Sequence, residues 1–235
     1  MIDPKLLPLA LPERGYWLNF SPNPNHVQHD FCGSHTIPGA TCPHCSKPLL
    51  RLLSLSSKDP VLIVEEAKTP VVHLVYCWTC SIPFGDFSYK IGADGSIGFI
   101  EVPARKPESE FGPDGPYDGY TGAFPLCKVS LESLTESEHL KLAARQTSES
   151  DEDDDELFEP RHQVGGYPFI YNQEKTICPL CSKDMPLLAA ICDDATGNSP
   201  WQVGEADSFT GNGAVQMVFH FCRDYLVLSA YHSCD

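Results

Sequence analysis

Two short segments constrain this chain more than anything else in it: Cys42-Pro43-His44-Cys45 and Cys178-Pro179-Leu180-Cys181. A Cys-x-x-Cys turn offers two sulfurs at the bite distance of one metal ion without straining the backbone, and a tetrahedral ion needs two more donors. For the first turn they are at hand. Cys77 and Cys80 form another such pair, with 31 residues between Cys45 and Cys77, the pattern of a zinc ribbon with an enlarged central insertion. Four thiolates fill the coordination sphere. A Zn2+ site at Cys42, Cys45, Cys77 and Cys80 is therefore expected to be structural, contributing on the order of 10 kcal/mol to folding.

The second half repeats the order of the first. His35-Thr36-Ile37-Pro38-Gly39-Ala40 lines up with His162-Gln163-Val164-Gly165-Gly166-Tyr167, the two Cys-Pro-x-Cys turns follow, and Val71–Cys77 parallels Val215–Cys222. An ordered match of this kind predicts a pseudo-symmetric duplication of a zinc-knuckle β unit. Cys178, Cys181 and Cys222 fill three positions of a second Zn2+ site, and Tyr225 stands where the first half has Cys80. Four readings of the remaining position stay open. His220 lies on the strand face of Cys222; Cys234 sits roughly 20 Å along a hairpin from it; water, which would leave the site open, or Asp224 could take the position; or the site is empty.

The eleven cysteines do not read as a disulfide framework, because the chain is large and opens on Met1-Ile2-Asp3-Pro4 rather than on a basic, then apolar, export signal. Reduced thiols and a cytoplasmic location are expected. The formal net charge of −16 opposes contact with nucleic-acid phosphate or an anionic membrane and favours a basic protein partner. No apolar run reaches the roughly 20 residues that cross a bilayer.

Short β-branched or apolar runs over 49–55, 61–64, 71–76, 87–91, 97–102, 185–191, 214–222 and 226–231 predict antiparallel strands, the last two as a terminal hairpin. Residues 1–38 are expected to wrap the surface with little regular structure, and 103–123 to form a long loop. A helix is expected from about Leu131 to Gln146, with Thr135 and Glu138 as a capping box if it begins there. The run Ser148-Glu149-Ser150-Asp151-Glu152-Asp153-Asp154-Asp155-Glu156 reads as an acidic linker. The domain reading is thus 1–128, a linker region 129–160, and 161–235.

His26, His29 and His35 read as solvated loop histidines, and Cys32, Cys127 and Cys192 as buried packing. Gly165-Gly166-Tyr167-Pro168 lacks the lysine and hydroxyl of a phosphate loop and reads as a packed turn.

The Gly165-Gly166-Tyr167-Pro168 turn, the Cys-Pro-x-Cys turn followed by Met185 and the Leu187-Leu188 pair, Trp201 and the closing hairpin resemble the YwqG family, largely of unknown function. The resemblance is best over 162–235 and weaker over 35–102. A duplicated zinc-knuckle unit is also similar to the programmed cell death 2 family, which implies a chaperone-like role for a ribosomal protein. It implies, too, a strand-rich α+β fold with two packed halves. The reading taken forward is a zinc-stabilised protein-binding module and not an enzyme. Its rivals are a metal-dependent hydrolase using an open second site, and an immunity or antitoxin-like protein.

Overall fold

A computed structural model of the chain describes residues 15–60, 69–77, 87–101, 123–145, 161–168, 170, 176–192 and 215–234. Eleven strands lie within them: β1 (Tyr16–Asn19), β2 (His29–Phe31), β3 (Leu50–Ser56), β4 (Val71–Tyr76), β5 (Phe87–Ile91), β6 (Ile97–Glu101), β7 (Cys127–Ser133), β8 (Gln163–Val164), β9 (Leu187–Cys192), β10 (Val215–Cys222) and β11 (Val227–Cys234). One helix, α1 (Glu136–Arg145), is found among the described residues. The strands form a single sheet in the order β4-β3-β2-β7-β1-β8-β9-β10-β11-β5-β6, antiparallel throughout. The fold is a strand-rich α+β, as the resemblance implied. No described helix is long and apolar enough to cross a membrane.

β9 is buried end to end, which is why its sequence reads as a continuous apolar run, and β3 is buried almost as fully although Arg51 and Ser54 interrupt its leucines. β10 alternates instead. Met217, Phe219 and Phe221 enter the main core with Leu52, Leu74 and Phe87, whereas Val218 packs on the opposite face with Leu187 and Tyr231.

The sheet curls into a half-barrel, and Tyr89 of β5 ties it to edge strand β4. Its fully buried hydroxyl accepts from the Val75 amide at 3.0 Å and donates to the His73 carbonyl at 2.7 Å. Two outward-facing backbone groups of an edge strand are thereby satisfied.

Two expectations fail. The opening is not a surface wrap between residues 16 and 31, because β1 and β2 are interior strands of the sheet. Nor does a helix start at Leu131: β7 runs to Ser133, held on one side by β2 and on the other by β1. The helix begins at the capping box. The Thr135 amide donates to Glu138 Oε2 at 2.7 Å, and the Glu138 amide donates back to Thr135 Oγ1 at 3.2 Å. Residues 61–64, 103–122 and the acidic run 148–156 lie outside the described residues.

The backbone of β2–β3 recurs in β8–β9. The Cys32 amide donates to the Leu52 carbonyl at 2.9 Å, and the Gly165 amide to the Leu188 carbonyl at 2.8 Å. The Ser56 amide donates to His29 Nδ1 at 3.0 Å, and the Cys192 amide to His162 Nδ1 at 3.2 Å. His29, and not His35, is therefore the counterpart of His162. It is buried rather than solvated. Both histidines are followed by a pair of left-handed residues, Cys32-Gly33 and Gly165-Gly166. At Gly166 a Cβ would also meet the Gly15 Cα at 2.7 Å, so the Gly-Gly turn is packed, as expected.

Because Nδ1 of His29 accepts, its proton sits on Nε2 and donates to Asp59 Oδ2 at 3.0 Å. Burial lowers the pKa below 6.5, with Asp59 opposing. The unfolded chain takes up this proton more readily, so the stability tied to neutral His29 is complete above pH 6.5 and declines as pH falls below it. At constant zinc, His29→Asn should shrink the difference in unfolding free energy between pH 7.5 and 5.5, by no more than about 1.4 kcal/mol per pH unit. Denaturant titration at the two pH values measures this. In the same assay at neutral pH, Tyr89→Phe should cost about 1–3 kcal/mol, because it leaves two buried backbone groups without a partner.

Candidate metal centres

The first Cys-Pro-x-Cys turn sits immediately before β3 and is closed by three backbone hydrogen bonds. The Cys42 amide donates to the Lys47 carbonyl at 2.9 Å, the Ser46 amide to the Cys42 carbonyl at 2.9 Å, and the Leu49 amide to the Ala40 carbonyl at 3.0 Å. The second turn repeats them. Cys178 to Lys183 spans 2.9 Å, Ser182 to Cys178 2.8 Å, and Met185 to Thr176 2.9 Å. The residue after the second cysteine is left-handed in both, Ser46 and Ser182 each at φ 58°. That conformation reverses the chain, so that backbone amides point at sulfur rather than at solvent.

Each turn faces the end of the neighbouring strand. Cys77 follows β4, and the sulfurs of Cys42, Cys45 and Cys77 all lie within 4.8 Å of one another. Cys222 closes β10, and the sulfurs of Cys178, Cys181 and Cys222 do the same. The sulfurs of Cys45 and Cys77 lie 3.7 Å apart, and those of Cys181 and Cys222 3.8 Å. These are far beyond the roughly 2.05 Å of a disulfide. Both trios are suited to holding a metal ion.

The electrostatics are unequal within each trio. Hydrogen bonding from Cys77, helped by the amides of Cys45 and His44, pulls Cys42 down to about 4 against the cost of burial. Burial pushes Cys178 up, but the amides of Leu180 and Cys181, with the thiols of Cys222 and Cys181, more than offset it and leave it lowered. Cys222 is pushed up to about 12, first by burial and then by its two sulfur neighbours. In each trio one sulfur, Cys42 or Cys178, is thus held below the ordinary thiol value by the groups that donate to it.

Of the eight expected ligands, six converge as two trios. Cys80 lies outside the described residues. His220 does not join: no histidine or carboxylate among the described residues completes either trio. The ladder shifts between Phe219 and His220, the ring stacks on Tyr231 with centroids 5.9 Å apart, and Nδ1–H donates to the Met185 carbonyl at 3.0 Å. Burial holds this histidine down to about 4 and neutral. Asp224 is engaged with Lys183 at 3.0 Å. Cys234 pairs with Val215, seven residues up the strand from Cys222, at the far end of the hairpin as expected.

Comparison with known proteins found no matching family model, no matching curated protein and no matching solved structure.

Sequence reasoning missed the role of His29. The signal was present but ambiguous: His29…Gly33, His35…Gly39 and His162…Gly166 share one spacing, and only the strand register selects the first as partner of the third.

The left-handed residue gives a direct test. Ser46→Ile should destabilise the protein by about 1–2 kcal/mol, because a β-branched side chain crowds the carbonyl in that conformation. Ser46→Gly should be neutral or stabilising by up to about 1 kcal/mol. Unfolding at fixed zinc distinguishes them.

Proposed function

We propose that both trios bind zinc and that the chain is a zinc-stabilised protein-binding module for a basic partner. The observation that carries the zinc reading is the sulfur spacing. A tetrahedral ion with zinc–sulfur bonds of about 2.3 Å has edges of about 3.8 Å, and the Cys45–Cys77 and Cys181–Cys222 sulfurs lie 3.7 and 3.8 Å apart. Cys80, two residues beyond Trp78, supplies the fourth donor of the first centre in this reading.

A structural rather than hydrolytic role follows from the donors. Three or four thiolates overcompensate the charge of a divalent ion and weaken its pull on a bound water, whereas hydrolytic zinc is held mainly by neutral imidazole. The net charge of −16 and the acidic run 148–156 support a basic partner through steering. A cytoplasmic location agrees with thiols that must stay reduced to bind metal.

The recurring hydrogen bonds of β2–β3 with β8–β9, and of the two turns, support a duplication in which each half contributes one centre. They fit the YwqG-like and programmed cell death 2 resemblance without depending on it.

Elemental analysis of protein purified without added chelator should give two zinc ions per chain, and strong chelation should unfold it. Capture from native lysate should recover a basic protein that is released by raising salt. Fewer than one zinc per chain, or reproducible metal-dependent turnover of a small molecule with no salt-sensitive protein partner, would overturn the reading.

A further inference from the structure

The two centres share a backbone plan but differ at one vertex. After Cys222 the chain turns through Arg223, Asp224 and Tyr225, and the Tyr225 amide points at the Cys222 sulfur as the Cys45 amide points at Cys42. The next residue, Leu226, is left-handed at φ 55°, matching Ser46 and Ser182 at 58°. A bulky non-glycine residue accepts that conformation only where its surroundings impose it. Residues 222–225 are therefore a third knuckle turn, with tyrosine at the position of its second cysteine.

Around this vertex the surface is open and apolar. Ile177, Leu180 and Tyr225 are 53%, 45% and 43% exposed, where the first turn carries Thr41 and His44. Every histidine of the chain is described, and none joins the trio. Among the described residues Cys32, Cys127 and Cys192 also stand outside it, Cys234 is at the other end of β10–β11, and Cys80 is given to the first centre in the reading above.

We propose that the second centre is a three-thiolate metal site whose fourth position, beside Tyr225, receives a thiolate from outside the chain. This rests on the reading of both trios as metal centres. On binding, the incoming thiol gives its proton to solvent, its sulfur bonds the metal and the resident water leaves; nothing is oxidised or reduced. The thiolate comes from a small-molecule thiol or from a cysteine of a partner protein, and the apolar rim fits the side chains that flank such a cysteine.

Cobalt(II) replaces zinc in the full chain and reports sulfur count through its charge-transfer and ligand-field bands. With two cobalt ions per chain, glutathione should increase the sulfur-to-cobalt band by about one thiolate. A peptide carrying cysteine between leucines should do the same. Tyr225→Cys should show the increased band without additive, lose the response to both thiols, and hold its second metal at least about tenfold more tightly. Tyr225→Phe should behave as the unaltered chain. Tighter binding of the peptide, by tenfold or more, assigns the source to a protein cysteine, and equal affinity assigns it to a small thiol. Two bound cobalt ions with no response to either thiol overturn the proposal. A response that appears or strengthens only in Tyr225→Phe also overturns it, because the phenol would then have filled the fourth position in the unaltered chain. Fewer than two bound cobalt ions instead sink the underlying metal reading.

Discussion

Three sulfurs held within 4.8 Å of one another set the terms for both halves of this protein. Two thiolates 4 Å apart repel by about 4 kcal/mol at an effective dielectric constant of 20, so three cannot be ionised together without a cation among them. The lowered Cys178 and raised Cys222 express that conflict within one trio: the first gains hydrogen bonds that favour charge, and the second is pushed up by burial and by its sulfur neighbours. A divalent ion resolves it. The strands that bring Cys77 and Cys222 to the turns are deeply buried, so the conflict cannot be relieved by letting the sulfurs drift apart.

Most strands were legible because their burial follows the simple rules that sequence patterns encode. Val71–Tyr76 and Phe87–Ile91 match their expected bounds, with Gly, Pro or Ser punctuation beside them. The failures have a common cause. β1, β2 and the end of β7 are short strands whose existence depends on partners distant in sequence, Trp17 on Glu132 and Asp30 on Lys128 and Ser54. A three-residue strand carries no periodicity of its own. His29 was unreadable for the same reason, since its role is defined by the Ser56 amide and by Asp59, neither of which is its neighbour in the chain. The metal trios were legible because the spacing of cysteines within a turn is local, while the failure of His220 came from a ladder shift that no pattern announces.

The order of strands explains how the halves cohere. β1 precedes the first turn yet pairs with β8 of the second half, and β7 precedes the second turn yet pairs with β2 of the first. The two exchanged strands also pair with each other, Asn19 opposite Ser130. Under the correspondence that matches His29 with His162, Val129 of β7 stands opposite the first, and the Leu18 amide reaches the His162 carbonyl at 3.2 Å. Asn19 and Ser130 thus stand in equivalent registers relative to the two histidines. Neither group of strands can separate from the other without breaking ladder bonds of β1 and of β7. The helix reinforces the joint, because Trp17 Nε1 donates to Glu138 Oε1 at 3.2 Å across it.

The two cysteine trios share a backbone plan but differ at their rims. Ser46, Ser182 and Leu226 are all left-handed, so the bend does not depend on a cysteine standing before it: that place is held by Cys45, Cys181 and Tyr225. Cys178, Cys181 and Cys222 converge within the same 4.8 Å as Cys42, Cys45 and Cys77. A trio kept in register on a rigid sheet, with exposed apolar side chains where polar ones stand in its twin, has the properties of a receiving site: preorganised donors, little entropy left to lose, and a contact surface beside the open vertex.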